Sequence, residues 1–189
     1  KSLTGWELAV VPGIVPDYTF FELLSYKKFP ATTWLRKMEE LDYLEEPDMF
    51  HDVFAHVPLL TNQAFVNFLE ELSIIGLNYC GDDYAIDILS RVYWFTVEFG
   101  LIRENDQLRI YGAGILSSAG ETKYSLSNQP EHHEFDVQQI ANTPYRKDVF
   151  QTEYFIIESY EQLYDSIPLI KEVLAEMVAK HHSEKSTVE

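Results

Sequence analysis

The chain has 189 residues, a length that suits one domain with a buried core. Acidic side chains outnumber basic ones by 31 to 14, so the formal net charge is −17. Such a surface repels the phosphates of nucleic acids and of anionic lipids, and we expect neither a nucleic acid nor a membrane as a partner. The single cysteine, Cys80, excludes a framework of internal disulfides and fits a reducing compartment, so we expect a cytoplasmic protein.

Proline, glycine and capping residues divide the chain into five predicted helices. In chain order these cover residues 18–26, 47–56, 62–75, 83–99 and 168–180. Asp17 and Thr61 are the predicted N-caps of the first and third helices, Pro58 should end the second near His56, and Gly100 should end the fourth. The third helix is predicted to bury a face made of Phe65, Phe68, Leu69 and Leu72. The last is predicted to bury Leu169, Ile170, Val173, Leu174 and Met177.

Strands are predicted in short stretches with β-prone composition. These stretches are residues 31–36, 107–112 and 153–157. Residues 10–16 contain two prolines and a glycine, which predicts an ordered apolar loop, and residues 122–149 are expected to form an irregular surface excursion. We therefore predict a mainly α fold with a few short β-strands, in one domain spanning residues 1–189.

Glu98 is the one charged residue in the apolar run 92–102. If the helix that carries it is buried all round, an unpaired carboxylate there would be very costly. The residue should then be protonated, paired with a cation or bound to a metal. The alternative is a surface glutamate at a helix end, which is the commoner fate of such a residue.

His51 and His56 lie five residues apart in a mostly apolar stretch. Five residues of an α-helix turn through about 500°, or about 140° net, so the two imidazoles would converge only on a distorted helix. Together with Glu98 they form a set of two imidazoles and one carboxylate, which in non-haem Fe(II) oxygenases leaves three metal positions open. The same ligand types also build zinc hydrolase sites, and a histidine pair can equally be structural.

Three signatures in order along the chain resemble those of the pterin-dependent aromatic amino acid hydroxylases. The iron-binding signature is similar to residues 46–60, EPDMFHDVFAHVPLL. The segment bringing a third ligand is similar to residues 93–100, YWFTVEFG, and a further signature to residues 111–118, YGAGILSS. Within this family, residues 41–46 and His51-Asp52 most resemble the bacterial phenylalanine 4-hydroxylases.

The resemblance implies a phenylalanine 4-monooxygenase that converts L-phenylalanine to L-tyrosine with Fe(II), a tetrahydropterin such as tetrahydrobiopterin, and O2 as co-substrate. His51, His56 and Glu98 would bind the iron, and Tyr93 would lie near the iron and the pterin as a catalytic residue beside Glu98. The residues implied to hold the pterin are Val11, Gly13, Ile14, Val15 and, stacking on its ring, Phe20.

The resemblance also implies a substrate site. Arg36 would bind the substrate carboxylate, since a planar guanidinium suits a bidentate pair, and Asp48 would orient Arg36. Trp94 would form part of the aromatic pocket. Ser117 and Glu121 would support the site by hydrogen bonds to substrate or ligands. The chain departs from the family at Ala55, where a glycine is common before the second histidine.

Several readings stay open at this point. Pocket shape decides the substrate, so a tryptophan hydroxylase or another ring position remains possible with the same chemistry. More distant alternatives are a zinc hydrolase with the same ligands and a non-catalytic pterin-binding domain. An N-terminal segment of full-length relatives is expected to be missing, and because no heptad helix follows the last element we expect a monomer.

Overall fold

The structure is a computed structural model that describes residues 2–40 and 46–186. Its α-helices are α1 (Asp17–Ser25), α2 (Gln63–Tyr79), α3 (Asp83–Tyr93), α4 (Ala113–Leu116), α5 (Glu121–Tyr124), α6 (Val137–Asn142), α7 (Tyr160–Asp165) and α8 (Ile167–Ser186). Its strands are β1 (Glu7–Val10), β2 (Lys28–Ala31), β3 (Leu101–Glu104), β4 (Gln107–Ile110), β5 (Glu131–Glu134) and β6 (Glu153–Ile157). Short 3₁₀ turns cover Met38–Glu40 and Leu59–Thr61. The predicted class, mainly α with short strands, is confirmed.

Two segments are π-helices, and both carry residues singled out above. We call Phe50–His56 the histidine π-helix and Trp94–Glu98 the glutamate π-helix. The glutamate π-helix continues α3 directly, so the single helix predicted over residues 83–99 is an α-helix that widens in its last turn.

The strands form two small sheets. β1 and β2 pair in parallel, and a four-stranded sheet has the order β4-β3-β6-β5. In the larger sheet β3 and β4 form an antiparallel hairpin, whereas β6 pairs in parallel with both β3 and β5. The hairpin turns through Asn105 and Asp106, which both have positive φ angles, as a two-residue turn between twisted strands requires.

The core is built around α2. Its predicted apolar face is confirmed, because Phe65, Phe68, Leu69 and Leu72 are all buried. Helix α1 crosses α2 at Gly76, where an added Cβ would lie 2.6 Å from the ring of Phe21. The glycine therefore sets how closely the two helices approach, and this approach positions the chain that leads into α1.

Several local predictions are wrong, and each failure has a physical reason. Asp17 lies in the first turn of α1, and no side chain caps that helix at Pro16. For α2 the cap is Asn62, whose Oδ1 accepts from the Phe65 N–H at 3.0 Å, while Thr61 belongs to the preceding turn. The strand predicted at 31–36 is also wrong, because β2 covers Lys28–Ala31 and shares only Ala31 with it. The strand stops there because the Thr32 N–H donates to the Asp52 side chain and not to a neighbouring strand.

The segment 122–149 is not an irregular excursion. It contains β5, which gains its stability by pairing with β6, and α6, which is capped by Asp136 through its bond to the Gln139 N–H. In α8, Leu169 is exposed and Met177 is only partly buried, because the buried stripe runs through Ile170, Val173 and Leu174. No helix in residues 2–40 or 46–186 is long and apolar enough to cross a membrane.

Replacing Asn62 by alanine should lower the free energy of unfolding by about 1 kcal/mol, because the first turn of α2 loses its side-chain cap. Urea unfolding followed by circular dichroism measures the change. Thr61→Ala is the matched control, and its cost should be smaller because the Thr61 hydroxyl bonds only the carbonyl of Pro58. A larger decrease in the free energy of unfolding for Thr61→Ala than for Asn62→Ala would show that Thr61 is the N-cap.

Candidate metal centre and its cavity

The histidine π-helix explains how His51 and His56 converge. In a π-helix each hydrogen bond joins residues five apart, so His51 and His56 lie one above the other instead of on different faces. Their Nε2 atoms are 3.0 Å apart. The i, i+5 spacing that an α-helix cannot use is the natural spacing of this rarer helix.

The glutamate π-helix brings the carboxylate to the same point. The Phe99 N–H donates to the Trp94 carbonyl at 2.8 Å, a bond across five residues that carries Glu98 inward. The wide turn also places Tyr93 beside Glu98, and the two side chains are hydrogen-bonded. Immediately after this turn comes Gly100, where a Cβ would lie about 2 Å from the Tyr111 ring and so cannot be accommodated.

The three side chains form one ligand set. Glu98 places one carboxylate oxygen 3.2 Å from His56 Nε2 and the other 3.5 Å from His51 Nε2. One ligand atom from each of the three residues lies within 4.8 Å of the others. Two imidazole nitrogens and a carboxylate that point at one spot offer lone pairs to a cation there, and so this chemistry fits a divalent metal.

Neighbouring groups orient the two imidazoles. His51 Nδ1 lies 2.8 Å from the hydroxyl of Ser117, which favours a proton on Nδ1 and a free lone pair on Nε2. His56 packs its ring against Phe29, with ring centroids 4.6 Å apart. The buried Nδ1 of His56 has no hydrogen-bond partner in the described part of the chain, so the tautomer of His56 is decided by what binds at Nε2.

The electrostatics of the three groups suit metal binding. Burial raises the pKa of the Glu98 carboxyl, but His56, His51 and the hydrogen bond from Tyr93 outweigh burial and hold that pKa below its usual range. Burial lowers the pKa of His51 more than the Glu98 charge raises it. Near neutral pH the site therefore presents a carboxylate to a neutral His51, which is the state that can bind a cation.

Arg36 and Asp48 form a buried pair at the edge of this centre. The guanidinium bonds the Asp48 carboxylate side-on, at 3.1 Å from Nε and 2.8 Å from Nη2, and its Nη1 donates to the Ser117 carbonyl at 2.5 Å. Burial raises the pKa of Asp48, but its bonds from Arg36 and from the His51 N–H outweigh that and lower the pKa to about 2. Among the described residues these bonds use three of the five guanidinium N–H donors, which leaves two for a ligand.

A cavity of about 850 Å³ opens beside the ligand set, and a smaller one of about 140 Å³ adjoins it. The structure brings the predicted site residues together around them. The larger is lined by Ile14, Val15, Phe20, Arg36, His51, Tyr93, Trp94, Glu98, Ser117 and Glu121. The smaller adds Val11, Gly13 and His56. Asp48 is fully buried and is linked to the cavity through its bonds to Arg36 and to the His51 N–H.

Glu121 was predicted to bond to the substrate or to the ligands; it makes no bond to the ligands, and a bond to the substrate stays a prediction. Its Oε1 accepts from the Gln151 N–H at 3.0 Å and from the Tyr154 hydroxyl at 2.7 Å, and it makes no hydrogen bond to His51, His56 or Glu98. Burial raises the pKa of Glu121, more than those two hydrogen bonds lower it. Glu121 thus joins the cavity wall to β6 and does not support the ligands directly, in contrast to Ser117.

Two features of the site were not predicted. Asp52 is buried, accepts from the N–H and the hydroxyl of Thr32 at 2.7 and 2.9 Å, and lines the smaller cavity. Its position next to His51 in an apolar run was a usable signal. The segment 145–150 also lines the larger cavity, and its composition gave no such signal. Residues 41–45, which carry part of the bacterial resemblance, lie outside the described residues.

The three converging side chains match the ligand set of a mononuclear metal site of the two-histidine, one-carboxylate class. The chain belongs to the biopterin-dependent aromatic amino acid hydroxylases, whose family profile matches residues 1–185. The resemblance seen in the sequence is thereby confirmed.

Among its relatives, the chain is 52% identical over 164 residues to phenylalanine-4-hydroxylase of Ralstonia nicotianae, covering 86% of this chain and 52% of that protein. Rat tyrosine 3-monooxygenase is 38% identical over 167 residues, covering 88% of this chain and 33% of that one. The crystal structure of Chromobacterium violaceum phenylalanine hydroxylase with iron(III) and 7,8-dihydrobiopterin superposes with a TM-score of 0.87 at 47% identity, over 95% of this chain and 64% of that one. This chain spans about half the length of the curated bacterial relatives it matches.

Glu98→Gln should reduce affinity for a divalent metal by at least about 100-fold, because a neutral amide cannot replace a charged ligand. The fold should survive, since the amide is nearly the same size. Metal content after anaerobic loading with Fe(II) and dialysis measures the loss. Glu104→Gln, an exposed glutamate of β3, is the control and should bind metal normally. Full metal content in the Glu98 variant would exclude the ligand set.

Proposed function

We propose that this chain is the catalytic part of an Fe(II)- and tetrahydropterin-dependent monooxygenase that hydroxylates L-phenylalanine to L-tyrosine with O2. The observation that carries the proposal is the convergence of His51, His56 and Glu98 on the wall of a cavity that also exposes Arg36. Bacterial relatives named phenylalanine-4-hydroxylase support the choice of substrate, since they are 40–52% identical to the chain and the tyrosine 3-monooxygenases 38%.

The iron would be held by the two imidazoles and the Glu98 carboxylate. When bound, iron and reduced pterin together supply the oxidising power that activates O2, and the chain supplies binding, orientation and a dry site. Tyr93 would act as a hydrogen-bond donor to Glu98 and not as a base. Burial and the Glu98 charge raise its pKa well above the usual range, so its hydroxyl stays protonated.

The pterin would lie on the loop between β1 and α1. In the described part of the chain the backbone groups of Gly13, Ile14 and Val15 make no hydrogen bonds, so they are available to the polar edge of a neutral ring. Phe20 lines both cavities and packs edge-on against Tyr93, with ring centroids 5.3 Å apart. The loop thus offers both polar groups and an aromatic face at the metal centre.

The amino acid would bind in the larger cavity. The free N–H donors of Arg36 suit its carboxylate, and the Asp48 pair holds the guanidinium in place at no cost in side-chain freedom on binding. The indole of Trp94 stacks on Tyr145 at 4.3 Å and packs at a tilt against Phe99 at 4.4 Å, which makes an aromatic wall for the substrate ring. The aromatic amino acid would then span from Arg36 towards the iron.

We further propose that residues 1–189 act as one catalytic domain of a cytoplasmic monomer. One hydrophobic cluster supports the single domain, since it includes residues from Trp6 near the start of the chain to Leu174 in α8. The net charge of −17 supports the monomer, because copies of such a chain repel each other.

Product analysis tests the reaction. The protein is loaded with Fe(II) without oxygen, given tetrahydrobiopterin and L-phenylalanine, and then exposed to O2, and tyrosine is measured by mass spectrometry. We expect tyrosine that requires both iron and pterin. A hydroxylated product from tryptophan alone would identify tryptophan as the substrate. Hydrolytic activity with bound zinc and no pterin binding would contradict the proposal and indicate a zinc hydrolase. Pterin binding without any product would indicate a non-catalytic domain.

Arg36→Lys should raise the KM for L-phenylalanine by about 100-fold and leave iron content unchanged, because the ammonium keeps the charge but loses the bidentate geometry. The lysine also keeps a cation beside the buried Asp48, so the fold should hold. Arg109→Lys, an exposed arginine of β4, is the control. Loss of iron with an unchanged KM would make Arg36 a structural residue.

A further inference from the structure

The segment 143–152 forms one wall of the larger cavity without regular secondary structure. Five of its residues line the cavity, namely Tyr145, Lys147, Asp148, Val149 and Phe150. Among the described residues, no backbone–backbone hydrogen bond holds positions 144–151. The position of this wall therefore depends on side chains.

Gln151 supplies the side-chain bonds that join this segment to the core sheet. Its Nε2 donates to the carbonyls of Arg146 at 2.7 Å and Val149 at 3.1 Å. Both N–H groups of the side-chain amide are therefore bonded to the backbone of the segment. The residue is only 4% exposed and directly precedes β6, which anchors it in the core sheet. One buried side chain thus bonds two backbone carbonyls of the cavity wall.

The same side-chain amide also bonds to Trp94, which lines the cavity near the proposed metal ligands. Gln151 Oε1 accepts from the indole N–H of Trp94 at 3.0 Å, and its backbone N–H donates to Glu121. Trp94 begins the glutamate π-helix, four residues before Glu98. The amide cannot be turned over, because its NH2 group would then face the indole N–H and its oxygen two carbonyls.

Trp94 also contacts the wall segment directly, because its indole stacks on the ring of Tyr145. Tyr145 belongs to the wall segment, and its ring lies almost parallel to the indole, with an interplanar angle of 15°. Gln151 therefore bonds to Trp94 through the indole N–H and to the segment that carries Tyr145 through two backbone carbonyls, while the Tyr145 side chain also bonds to Ser90. A shift of either partner would move the aromatic surface that faces the metal centre.

We propose that Gln151 is a positioning residue that sets the amino acid pocket by locking the 145–150 wall to Trp94. It touches neither the metal ligands nor the cavity space and acts through the residues it holds. The kinetic part of this inference rests on the proposed hydroxylase function. Its structural part, the locking of the wall, does not.

Steady-state kinetics and L-phenylalanine binding test the role in the pocket. Gln151→Ala should raise the KM for L-phenylalanine about tenfold and lower kcat less than threefold, with unchanged iron content and tetrahydrobiopterin KM. Calorimetric titration with L-phenylalanine should show the same weakening. The control is Gln162→Ala, on α7 outside the cavity. It also removes a glutamine amide that is bonded to the backbone, since Gln162 Oε1 accepts from the Glu158 N–H.

Limited trypsin digestion tests the locking without any turnover. The wall contains two trypsin sites, Arg146 and Lys147, and the Arg146 side chain is exposed. In Gln151→Ala, cleavage after these two residues should be at least about tenfold faster, while cleavage after Lys171 in α8 stays at the wild-type rate. Gln151→Glu should behave similarly, because its carboxylate keeps the acceptor for Trp94 but gives no donors to the two carbonyls.

Wild-type cleavage rates and a wild-type KM in both Gln151 variants would overturn the proposal. Faster cleavage at every site, together with loss of iron, would also overturn it, because Gln151 would then be a general structural residue. If the wild-type protein makes no tyrosine, the proposed function fails, and selective cleavage at Arg146 and Lys147 still decides whether Gln151 locks the wall.

Discussion

Hydrogen bonding across five residues is the constraint on which the metal centre depends. An α-helix would separate His51 from His56 and would turn Glu98 away from Tyr93, whereas two π-helices align both pairs. Such wide turns are less favourable than α-turns, so the surrounding fold has to hold them. It does so at Gly100, where no side chain fits against Tyr111, and at Asp48, which accepts from the His51 N–H in the first turn of the histidine π-helix.

The buried carboxylates at the candidate metal centre and around it have different kinds of partners. Asp48 is neutralised by Arg36, and Asp52 accepts two hydrogen bonds from Thr32. Glu98 has two imidazoles and a phenol as its neighbours, and none of these is a permanent cation. A buried carboxylate with such neighbours suits a metal ion as a further partner, and in this Glu98 differs from Asp48 and Asp52.

Much of the site was predictable because its residues break local rules. A lone carboxylate in an apolar helix and two histidines at a spacing useless to an α-helix mark a site without any structure. Helix α2 was predictable because its apolar period extends over four turns. Thr61 and Asn62 are both good capping residues, so composition alone did not decide between them.

The remainder depended on contacts distant in sequence. β5 contains two histidines between two glutamates and has no strand pattern, so its strand character comes from pairing with β6. The end of β2 at Ala31 depends on Asp52, which accepts from the N–H of Thr32 twenty residues earlier in the chain. Gln151 carries no sequence signal at all. Its proposed role arises only because Trp94 and the segment 145–150 meet at its side-chain amide while Glu121 accepts from its backbone N–H.

The most direct test of this account is the location of the metal. Crystals of the Fe(II)-loaded protein, grown without oxygen, would give an anomalous difference map at the iron absorption edge. We expect one peak about 2 Å from His51 Nε2, His56 Nε2 and a Glu98 oxygen, with both ligand segments in the π-helical form. A peak bound by other residues, or α-helical turns that separate His51 from His56, would contradict it.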